Sequence, residues 1–443
     1  MAQNDQAGVM GVGMIGLGTV GGGVAQMLAE HAELYARRCG KRLVLRSVVV
    51  RDVAKAKASG LVDPAMVGDD VLALLGEDVD VVVEVAGGVE VAKGYVEQAL
   101  RAGKHVVTAN KALLAAHGPE LFALARGHGV SVAFEASCGG GIPCVTALMF
   151  GLMGNAFVGM YGILNGTCNY ILTEMTQKGR TYGEALADAK AKGYAEADET
   201  LDVSGADAAQ KLAVLASLAF GVSLRGSDVP CEGIETLDLA DVGFGAALGY
   251  DIKLIASAER GEDGGGLFVS TRPCFVSKDT QLAQVHGADN ALSVVGDAVG
   301  HVMLYGPGAG RGPTASAVVS DLLNVASGWY GRAFAEMGLT PDLHEGAVLC
   351  DAADGVSRFY LRLGVEDVPG NIGKITTVLG ERGISLSAVM QRERKHAADA
   401  HVPVVITTHA CREGDLREAC EALVKGGAVV AEPVVIRVLD FGG

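Results

Sequence analysis

The sequence predicts an α/β protein with three parts: a doubly wound parallel sheet, a central α+β region and a C-terminal ferredoxin-like domain. Short valine-rich runs alternate with longer alanine- and leucine-rich runs from residue 9 to residue 143, as in alternating strands and helices. The 63 glycines suit the many tight turns of such a fold. From residue 358 the pattern becomes strand, helix, strand, strand, helix, strand, which is typical of split βαβ units.

Length and composition set the domain count and exclude two classes of partner. A chain of 443 residues is too long for one ordinary core, so we expect two or three domains. The 49% of hydrophobic and 20% of charged residues are typical of globular proteins. A net charge of −16 excludes nucleic acid and anionic membranes as main partners, since both require a basic surface. No apolar run reaches about 18 residues, so we expect no membrane span.

The cysteines indicate a reducing compartment. Nine cysteines occur without a CxxC pair or an even framework, so we interpret them as free thiols rather than disulfides or metal ligands. The first seven residues are polar and lack the pattern of a signal peptide. We therefore expect a cytoplasmic protein.

We predict four segments along the chain. Residues 1–146 form a dinucleotide-binding domain, and residues 147–328 form a catalytic and dimerisation domain. The final helix of the latter, residues 312–328, is expected to pack back on the first domain. Residues 329–355 are a predicted linker, and residues 356–443 form the C-terminal domain.

In the first domain, the valine-rich runs predict buried parallel strands. These predicted strands cover residues 9–15, 43–50, 79–85, 105–108 and 130–134. The longer runs 20–35 and 91–102 are predicted helices between them.

Two helices of the central region have recognisable starts. Thr181 and Glu184 have the spacing of a capping box, and Gly193 stands where a left-handed residue would end that helix. Ser204 and Asp207 start a second helix in the same way.

The C-terminal domain is predicted element by element from the alternation of apolar residues. The strands cover residues 358–365, 384–391, 402–409 and 434–439, and the helices cover residues 370–382 and 413–425.

A glycine turn directly after the first strand predicts a dinucleotide site. Gly16, Gly18 and Gly21 have GxGxxG spacing and, with Thr19 and Val20, open a helix. Such glycines permit a tight turn and close approach to a pyrophosphate, which the helix N-terminus stabilises electrostatically. Because the motif follows a strand that begins an α/β series, we interpret it as Rossmann-type.

The end of the second strand bears on the choice of cofactor. Arg51 suits the 2′-phosphate of NADP, whereas Asp52 suits the ribose hydroxyls of NAD. Both side chains also fit a solvated surface. We favour NADP, with NAD as the alternative.

Two lysines are candidate catalytic residues. Asp207 and Lys211 are four residues apart on one helix, so they share a face that continues through Leu215 and Leu218, which we expect to be buried. The pair is either an ordinary surface ion pair or a catalytic lysine controlled by a carboxylate. Lys111 follows the fourth predicted strand, which places it at the carboxyl edge of the sheet near the nicotinamide.

An acidic loop precedes the helix of Lys211. It includes Glu196, Glu199 and Asp202, whose carboxylates could converge on the α-amino group of an amino-acid substrate, although acidic loops are usually solvated. Two lysines and several carboxylates beside a hydride carrier suit the reduction of a polar aldehyde.

These residues lie in motifs that resemble homoserine dehydrogenases along nearly the whole chain. The motifs are GLGTVG (16–21), TANKAL (108–113), EASCGGGIP (135–143), NGTCNYIL (165–172), GYAEADETLDVSGADAAQKL (193–212) and YGPGAGRGPTASAVV (305–319). The last domain, with DVPG (367–370) leading to GIS (383–385), resembles an ACT domain.

The resemblance implies the reversible conversion of L-homoserine and NAD(P)+ into L-aspartate 4-semialdehyde and NAD(P)H. Lys211 would donate and accept the proton, Asp207 would orient it, and Lys111 would contact both cofactor and substrate. The implied substrate contacts are Glu196, which grips the amino group, with Asp202, Gly193 and Thr167. Further implied cofactor contacts are Gly87, Thr108 and Gly308.

The resemblance also implies a structural monovalent cation such as Na+, held by backbone carbonyls. The matching residues are Glu135, Cys138, Gly140 and Ile142.

Three positions depart from the family's pattern. Cys168 stands where threonine is expected, which removes or weakens a pocket hydroxyl. Cys138 replaces an expected valine, but only its carbonyl is needed. Glu199 replaces a common proline, which predicts a more flexible loop.

The final domain implies regulation by an amino acid. By resemblance the ligand is threonine, and Asn371 with its neighbours is the candidate lining. A ferredoxin-like domain commonly pairs its sheet edge with a second copy, so we expect a homodimer or homotetramer. We expect removal of residues 358–443 to leave catalysis and abolish inhibition.

Two alternatives remain open. One is another ACT-tailed Rossmann dehydrogenase, of the phosphoglycerate or prephenate dehydrogenase type, and the other is a non-catalytic sensor of nucleotide and amino acid. The combination of Lys111, Glu196, Asp207 and Lys211 favours the homoserine dehydrogenase interpretation over both.

Overall fold

The structure is a computed structural model and describes residues 8–195, 198–261, 264–391 and 401–439. In these ranges no helix is both long enough and apolar enough to cross a membrane.

The strands of the described residues are numbered in chain order. They are β1 (Gly8–Ile15), β2 (Lys41–Val49), β3 (Val67–Gly68), β4 (Val81–Glu84), β5 (His105–Thr108), β6 (Val132–Ala133), β7 (Phe157–Ile163), β8 (Tyr250–Arg260), β9 (Leu267–Ser277), β10 (Asp289–Gly296), β11 (Gly300–Pro307), β12 (Val356–Val365), β13 (Leu386–Gln391), β14 (Val402–Thr408), β15 (Cys411–Arg412) and β16 (Val434–Leu439).

The helices are numbered in the same way. They are α1 (Thr19–Glu30), α2 (Ala32–Cys39), α3 (Val53–Ala58), α4 (Val71–Leu74), α5 (Glu90–Arg101), α6 (Lys111–Gly127), α7 (Cys144–Thr146), α8 (Gly166–Lys178), α9 (Tyr182–Ala191), α10 (Thr200–Val203), α11 (Ala206–Phe220), α12 (Leu239–Ala247), α13 (Arg311–Ala326), α14 (Trp329–Glu336), α15 (Asn371–Glu381) and α16 (Glu413–Lys425).

The chain divides into two compact units, each built from three stretches of sequence. The first unit comprises Met1–Gly166, Ala206–Pro230 and Ala288–Ala347. The second comprises Thr167–Gly205, Cys231–Gly287 and Val348–Gly443. The continuous segments predicted from sequence do not anticipate this interleaving, because contacts between distant stretches leave no local pattern.

The first unit contains a parallel sheet of the predicted Rossmann type. Its strand order is β3-β2-β1-β4-β5-β6, and each neighbouring pair is parallel. Connections run in opposite directions on either side of the β1/β4 pair, which makes this the switch point where nucleotides bind in such folds. The predicted strands are confirmed within a few residues at each end, and the two-residue β3 is an addition too short to leave a pattern.

The helix predicted over residues 20–35 is wrong in one respect, because the structure has two helices there. The backbone of His31 leaves helical values, with φ −117° and ψ 17°, and separates α1 from α2. The two helices differ in their main neighbours. α1 approaches α13 closely, since a Cβ on Gly23 would lie 2.9 Å from that of Ala315, whereas α2 buries Tyr35 and contacts β2.

The predicted linker begins with ordered, packed structure. Helix α14 buries Tyr330 and Phe334 in the first unit, at 2% and 1% exposure. Arg126 of α6 then ties the following turn, because its guanidinium donates to Asp342 and Thr340 at 3.0 and 2.6 Å. Apolar side chains early in the predicted linker therefore extend the core of the first unit.

The second unit contains a sheet in which the C-terminal domain continues two earlier strands. The order is β8-β9-β16-β12-β14-β13. Within it β16-β12-β14-β13 is the ferredoxin-like arrangement, and the predicted strands and helices of the C-terminal domain are confirmed. The outer edge of β16 pairs in parallel with β9, with Arg437 opposite Cys274. The C-terminal domain is therefore part of a larger sheet rather than a tail.

Buried ion pairs reinforce this junction. Asp241 of α12 is fully buried and accepts two hydrogen bonds from Arg362 of β12, at 2.6 and 2.9 Å, and one from Tyr360. Arg272 of β9 makes a bidentate pair with Glu413 of α16, at 3.0 and 2.9 Å. Removal of either partner leaves a desolvated charge, which costs far more than loss of a surface pair.

The junction predicts a graded loss of stability when its buried pairs are broken. Arg362→Ala should lower the free energy of unfolding by about 3 kcal/mol, because Asp241 loses its bidentate partner. The matched control is Arg412→Ala, which breaks a largely exposed pair with Asp354 and should cause no measurable loss. Urea unfolding of both variants checks this, and equal losses would contradict it.

Lys253 is a buried amine in the same unit. It is 2% exposed on β8, and its Nζ donates to the Val285 carbonyl at 2.5 Å and to Asn169 Oδ1 at 3.3 Å. Burial lowers the pKa of Lys253 from 10.5 to about 8, against the smaller opposing effect of Asp251. The folded state therefore holds this proton less tightly than the unfolded state does, and the cost below pH 8 is on the order of 3 kcal/mol.

Because the unfolded chain binds the proton of Lys253 more tightly, the free energy of unfolding should rise as the pH rises from about 8 to about 10.5. Lys253→Met should raise stability at pH 7 by about 1 kcal/mol and flatten that rise, since the Val285 carbonyl keeps Asn169 as a donor. Denaturation across this pH range checks the prediction, with the half-exposed Lys278→Met as control. An unchanged slope in Lys253→Met would count against it.

Candidate active site

The glycine turn after β1 has the shape that a dinucleotide requires. A Cβ on Gly16, whose φ is +102°, would lie 2.7 Å from the Val85 carbonyl oxygen, and one on Gly21 would lie 2.2 Å from the Gly16 carbonyl oxygen. A Cβ on Gly18 would meet nothing within 4 Å. Two glycines therefore permit close packing of the turn, and the third leaves the N-terminus of α1 open to a ligand. Thr19 and Val20 begin that helix, and its first turn carries no acidic residue.

A buried network joins the loops at the ends of β4 and β5. Glu84 is fully buried, and its carboxylate accepts hydrogen bonds from the Ala86 and Gly87 amides and from the Thr108 hydroxyl, at 3.0, 3.2 and 2.7 Å. Asn110 donates to the Gly88 carbonyl at 2.6 Å and caps α6 through its side-chain oxygen. The network fixes two predicted cofactor positions, Gly87 and Thr108, and the start of the helix that carries Lys111.

The structure brings together the three predicted catalytic residues. Asp207 lies between the two lysines, with its Oδ1 3.0 Å from Lys111 Nζ and its Oδ2 2.8 Å from Lys211 Nζ. Lys211 also donates to the Leu164 carbonyl at 2.7 Å. Lys111 comes from the start of α6 and Lys211 from the second turn of α11, so two helices supply one charged cluster.

Burial makes the charge of Asp207 depend on its neighbours. The residue is 4% exposed. Burial alone would raise the pKa of its carboxyl, but the ammonium groups of Lys211 and Lys111 and hydrogen bonds from Lys211 and Asn165 hold that pKa well below its usual value. Asn165, for which the sequence predicts no role, donates to Oδ2 at 2.8 Å. Asp207 is therefore an ionised carboxylate shared by two cations.

The helix carrying this pair is anchored by its apolar face. Leu212, Leu215 and Leu218 recur at helical spacing and are 0%, 0% and 7% exposed. The expected burial of Leu215 and Leu218 is confirmed. Because Lys211 is only 12% exposed at its side chain, the pair with Asp207 is not an ordinary surface pair.

Arg51 and Asp52, which follow β2, differ in whether their side chains are free to contact a cofactor. Asp52 caps α3, since its Oδ1 accepts a hydrogen bond from the Lys55 amide at 2.9 Å. Arg51 is exposed. The carboxylate that would contact ribose hydroxyls thus already serves a helix terminus, whereas the guanidinium faces solvent.

The turn from Glu135 to Ile142 contains the candidate cation ligands. The Glu135 carboxylate accepts from the Val145 and Thr146 amides, both at 2.8 Å, and its own amide donates to Asp321 at 2.8 Å. Burial raises the pKa of Glu135 despite these bonds. Since its side chain is occupied in this way, Glu135 would meet a cation through its carbonyl.

Glycines shape that turn. Gly140 has a φ of +56°, and a Cβ there would lie 2.4 Å from the Gly308 carbonyl, so the turn packs directly on the predicted cofactor glycine. Cys138 is fully buried, and burial raises the pKa of its thiol to about 12. In the described ranges no group of three His, Cys, Asp or Glu side chains could hold a metal ion.

The predicted substrate residues that are described cluster in the second unit. The Thr167 hydroxyl of α8 donates to the Tyr194 carbonyl at 2.7 Å, next to Gly193, whose φ is +75°. The Cys168 thiol donates to the Asp202 carbonyl at 3.2 Å. The start of α8 thereby holds both ends of the acidic loop. Glu196 lies outside the described residues.

The two departures in this region acquire structural roles. Cys168 supplies a hydrogen bond to the loop rather than a pocket hydroxyl. Glu199 pairs with Lys190 of α9, with Oε2 2.6 Å from Nζ, so the predicted loosening by loss of proline is opposed by an ion pair.

Asn371, the candidate regulatory residue, is a buried structural link. Its Nδ2 donates to the carbonyls of Glu366 and Ala428, at 3.1 and 3.2 Å. A contact between Asn371 and an effector would therefore use the side-chain oxygen.

Fold and site together define a class of protein. A glycine turn at the switch point of a parallel sheet, with a Lys–Asp–Lys cluster in the same unit, is the arrangement of a nicotinamide-nucleotide-dependent oxidoreductase.

Sequence profiles of known families identify the kind of oxidoreductase. The profile "Homoserine dehydrogenase, NAD binding domain" matches residues 16–135, "Homoserine dehydrogenase" matches residues 143–323, and "ACT domain" matches residues 359–425.

Individual relatives agree over the whole chain. A homoserine dehydrogenase of Pseudomonas aeruginosa is 42% identical over 96% of this chain and 98% of its own length. A homoserine dehydrogenase of Bacillus subtilis is 40% identical over 93% of this chain and 94% of its own length. The crystal structure of a homoserine dehydrogenase from Thiobacillus denitrificans superposes with a TM-score of 0.91 at 38% identity, covering 98% of this chain and 100% of that one. The chain belongs to the homoserine dehydrogenase family.

Proposed function

We propose that the chain catalyses the reversible, nicotinamide-dependent interconversion of L-homoserine and L-aspartate 4-semialdehyde. The observation that carries this proposal is the bridge of Asp207 between Lys111 and Lys211. Membership of the homoserine dehydrogenase family supports the choice of substrate.

Lys211 is the proposed proton carrier at the substrate oxygen. Two of its three N–H donors, counting partners among the described residues, are directed to Leu164 and Asp207, which fixes the direction of the third. In aldehyde reduction this ammonium stabilises the developing alkoxide and then protonates it. In alcohol oxidation the neutral amine accepts the same proton.

Asp207 and Lys111 set the charge around that step. Asp207 holds Lys211 in place and offsets its charge, while Lys111 lies on the opposite carboxylate oxygen. Lys111 is the proposed contact to both cofactor and substrate. The bound nicotinamide supplies or receives the hydride, and the open face at Gly18 fits its pyrophosphate.

Substrate recognition is assigned to the acidic loop. Glu196 is proposed to bind the α-amino group, with Asp202, Gly193 and Thr167 as further contacts. The hydrogen bonds from Thr167 and Cys168 to this loop support a preformed site.

Removal of the proton carrier tests the assignment. Lys211→Ala should lower kcat for homoserine oxidation by at least about 100-fold, because proton transfer and alkoxide stabilisation are both lost. The matched control is Lys178→Ala, which removes another i,i+4 lysine–carboxylate pair and should stay within about twofold of wild type.

Steady-state rates and nucleotide binding, measured together, decide the result. Near-normal turnover of Lys211→Ala, with nucleotide still bound, would refute the role. A substrate panel in the same assay separates homoserine from the hydroxy acids and prephenate of other ACT-tailed dehydrogenases, and inactivity on all of them would favour a sensor.

NADP is the proposed cofactor, with NAD as the weaker alternative. The exposed Arg51 supports this choice, as does the engagement of Asp52 in capping α3. An archaeal homoserine dehydrogenase with 26% identity has been solved in complex with NADPH.

The guanidinium should discriminate between the two cofactors. Arg51→Ala should raise KM for NADPH by about 10-fold or more and leave KM for NADH within about twofold, because a charge-assisted contact to the 2′-phosphate is lost. Arg46→Ala, on β2 just before this turn, is the control and should change neither KM. Parallel effects on both cofactors would rule out a 2′-phosphate contact.

A monovalent cation such as Na+ is proposed in the turn that begins at Glu135. Its ligands would be the carbonyls of Glu135, Cys138, Gly140 and Ile142. The left-handed glycines and the occupied Glu135 side chain support backbone ligation.

Regulation by threonine is the proposed role of the ACT domain. The supporting feature is the pairing of β16 with β9, because a ligand that shifts the ACT domain would also shift the strands of the second unit that are hydrogen-bonded to it. We also propose a homodimer or homotetramer and a cytoplasmic location, the latter because all nine cysteines are free thiols.

Threonine should lower the initial rate of the intact enzyme at about millimolar concentration. Rates of aspartate semialdehyde reduction with NADPH, with and without threonine, check this, and serine at the same concentration controls for general effects of an amino acid. Unchanged rates up to about 50 mM threonine would contradict the proposal.

A further inference from the structure

One backbone carbonyl in the first unit receives two side-chain donors. The Leu164 oxygen, just after β7, accepts from Lys211 Nζ at 2.7 Å and from Asn290 Nδ2 at 3.0 Å. Asn290 lies near the start of β10 and is 1% exposed. A side chain that no sequence motif singled out thus touches the atom that holds the proposed proton carrier.

The position of Asn290 is fixed by glycines on two sides. A Cβ on Gly308 would lie 2.1 Å from Asn290 Cγ, and a Cβ on Gly166 would lie 3.4 Å from Asn290 Oδ1. Only glycine at residue 308 leaves room for this amide. A continuous series of contacts therefore runs from Gly308, the predicted cofactor glycine, through Asn290 and Leu164 to Lys211.

The amide is costly for a purely structural residue. Its Oδ1 is buried and has no hydrogen-bond partner among the described residues. An unsatisfied buried acceptor destabilises the folded state, so an apolar side chain of similar size would serve the fold better. The hydrogen bond that Nδ2 donates to the Leu164 carbonyl is the interaction that offsets this cost.

We propose that Asn290 is a positioning residue that sets the location of the Lys211 ammonium through the Leu164 carbonyl. This inference rests on the proposed role of Lys211. The Leu164 oxygen and Asp207 Oδ2 are the two acceptors that aim Lys211, and Asn290 holds the first of them in place. Misplacement of a reacting group by about 1 Å costs about 100-fold in rate, so a held carbonyl matters for kcat.

Two substitutions test the proposal. Asn290→Asp keeps the shape of the side chain and replaces the amide donor with a group that, when ionised, cannot donate. Asn290→Ala removes both the shape of the side chain and its amide donor. Both variants should lower kcat for homoserine oxidation by about 10- to 100-fold while KM for homoserine and NADP+ stays within about threefold. The solvent deuterium isotope effect on kcat should rise, because proton transfer becomes slower than the other steps.

The chain offers a matched control in its second unit. The Val285 carbonyl is likewise shared by a lysine, Lys253 at 2.5 Å, and an asparagine, Asn169 at 3.2 Å. Asn169 is also 1% exposed. Asn169→Asp therefore repeats the chemical change without touching Lys211, and its kcat and isotope effect should match those of wild type.

Thermal unfolding and NADPH binding accompany the kinetics. Wild-type kcat in both folded Asn290 variants, a change confined to KM, or an equal loss in Asn169→Asp would overturn the proposal. Loss of folding or of NADPH binding in both variants would assign Asn290 to the fold and also overturn it. A wild-type enzyme inactive on homoserine would instead refute the proposed function, and this inference with it.

Discussion

The buried carboxylate of Asp207 is the constraint on which the proposed chemistry depends. A charge with 4% exposure is stable only with close partners, and here the partners are two lysines from different helices. The same carboxylate therefore fixes where α6 and α11 present their ammonium groups. The Glu84 network fixes the start of α6, and Leu164 and Asn290 fix the end of Lys211, so each member of the cluster is held from a second direction.

The C-terminal domain obeys a comparable constraint. Its strand β16 completes the edge of β9, and the pairs Asp241–Arg362 and Arg272–Glu413 are buried at the same junction. An edge strand left open would be a liability, so the domain serves the fold of the second unit as well as any ligand it binds. This is the physical reason to test regulation with ligands and point substitutions instead of truncation.

Local features were predictable from the sequence and non-local ones were not. The glycine turn, the capping box at Thr181 and the C-terminal strands follow from spacing and apolar periodicity, and each is present. The pair of Asp207 and Lys211 follows from helical spacing, but its burial and its sharing with Lys111 arise from the packing of distant segments. Glu84 and Asn290 were missed for the same reason, since a lone asparagine or glutamate has no pattern of its own, and Asn165 lies in the motif NGTCNYIL without a role assigned to it. The break at His31 and the β9–β16 pairing depend on tertiary contacts.

The turnover of Asp207→Asn, an isosteric change that removes only the shared charge, measures most directly whether this carboxylate organises both lysines. If the carboxylate organises both lysines, kcat/KM for homoserine should fall by at least about 100-fold while the folded protein still binds NADPH within about fivefold of wild type. A variant that folds, binds NADPH and retains kcat/KM within about threefold of wild type would contradict the account.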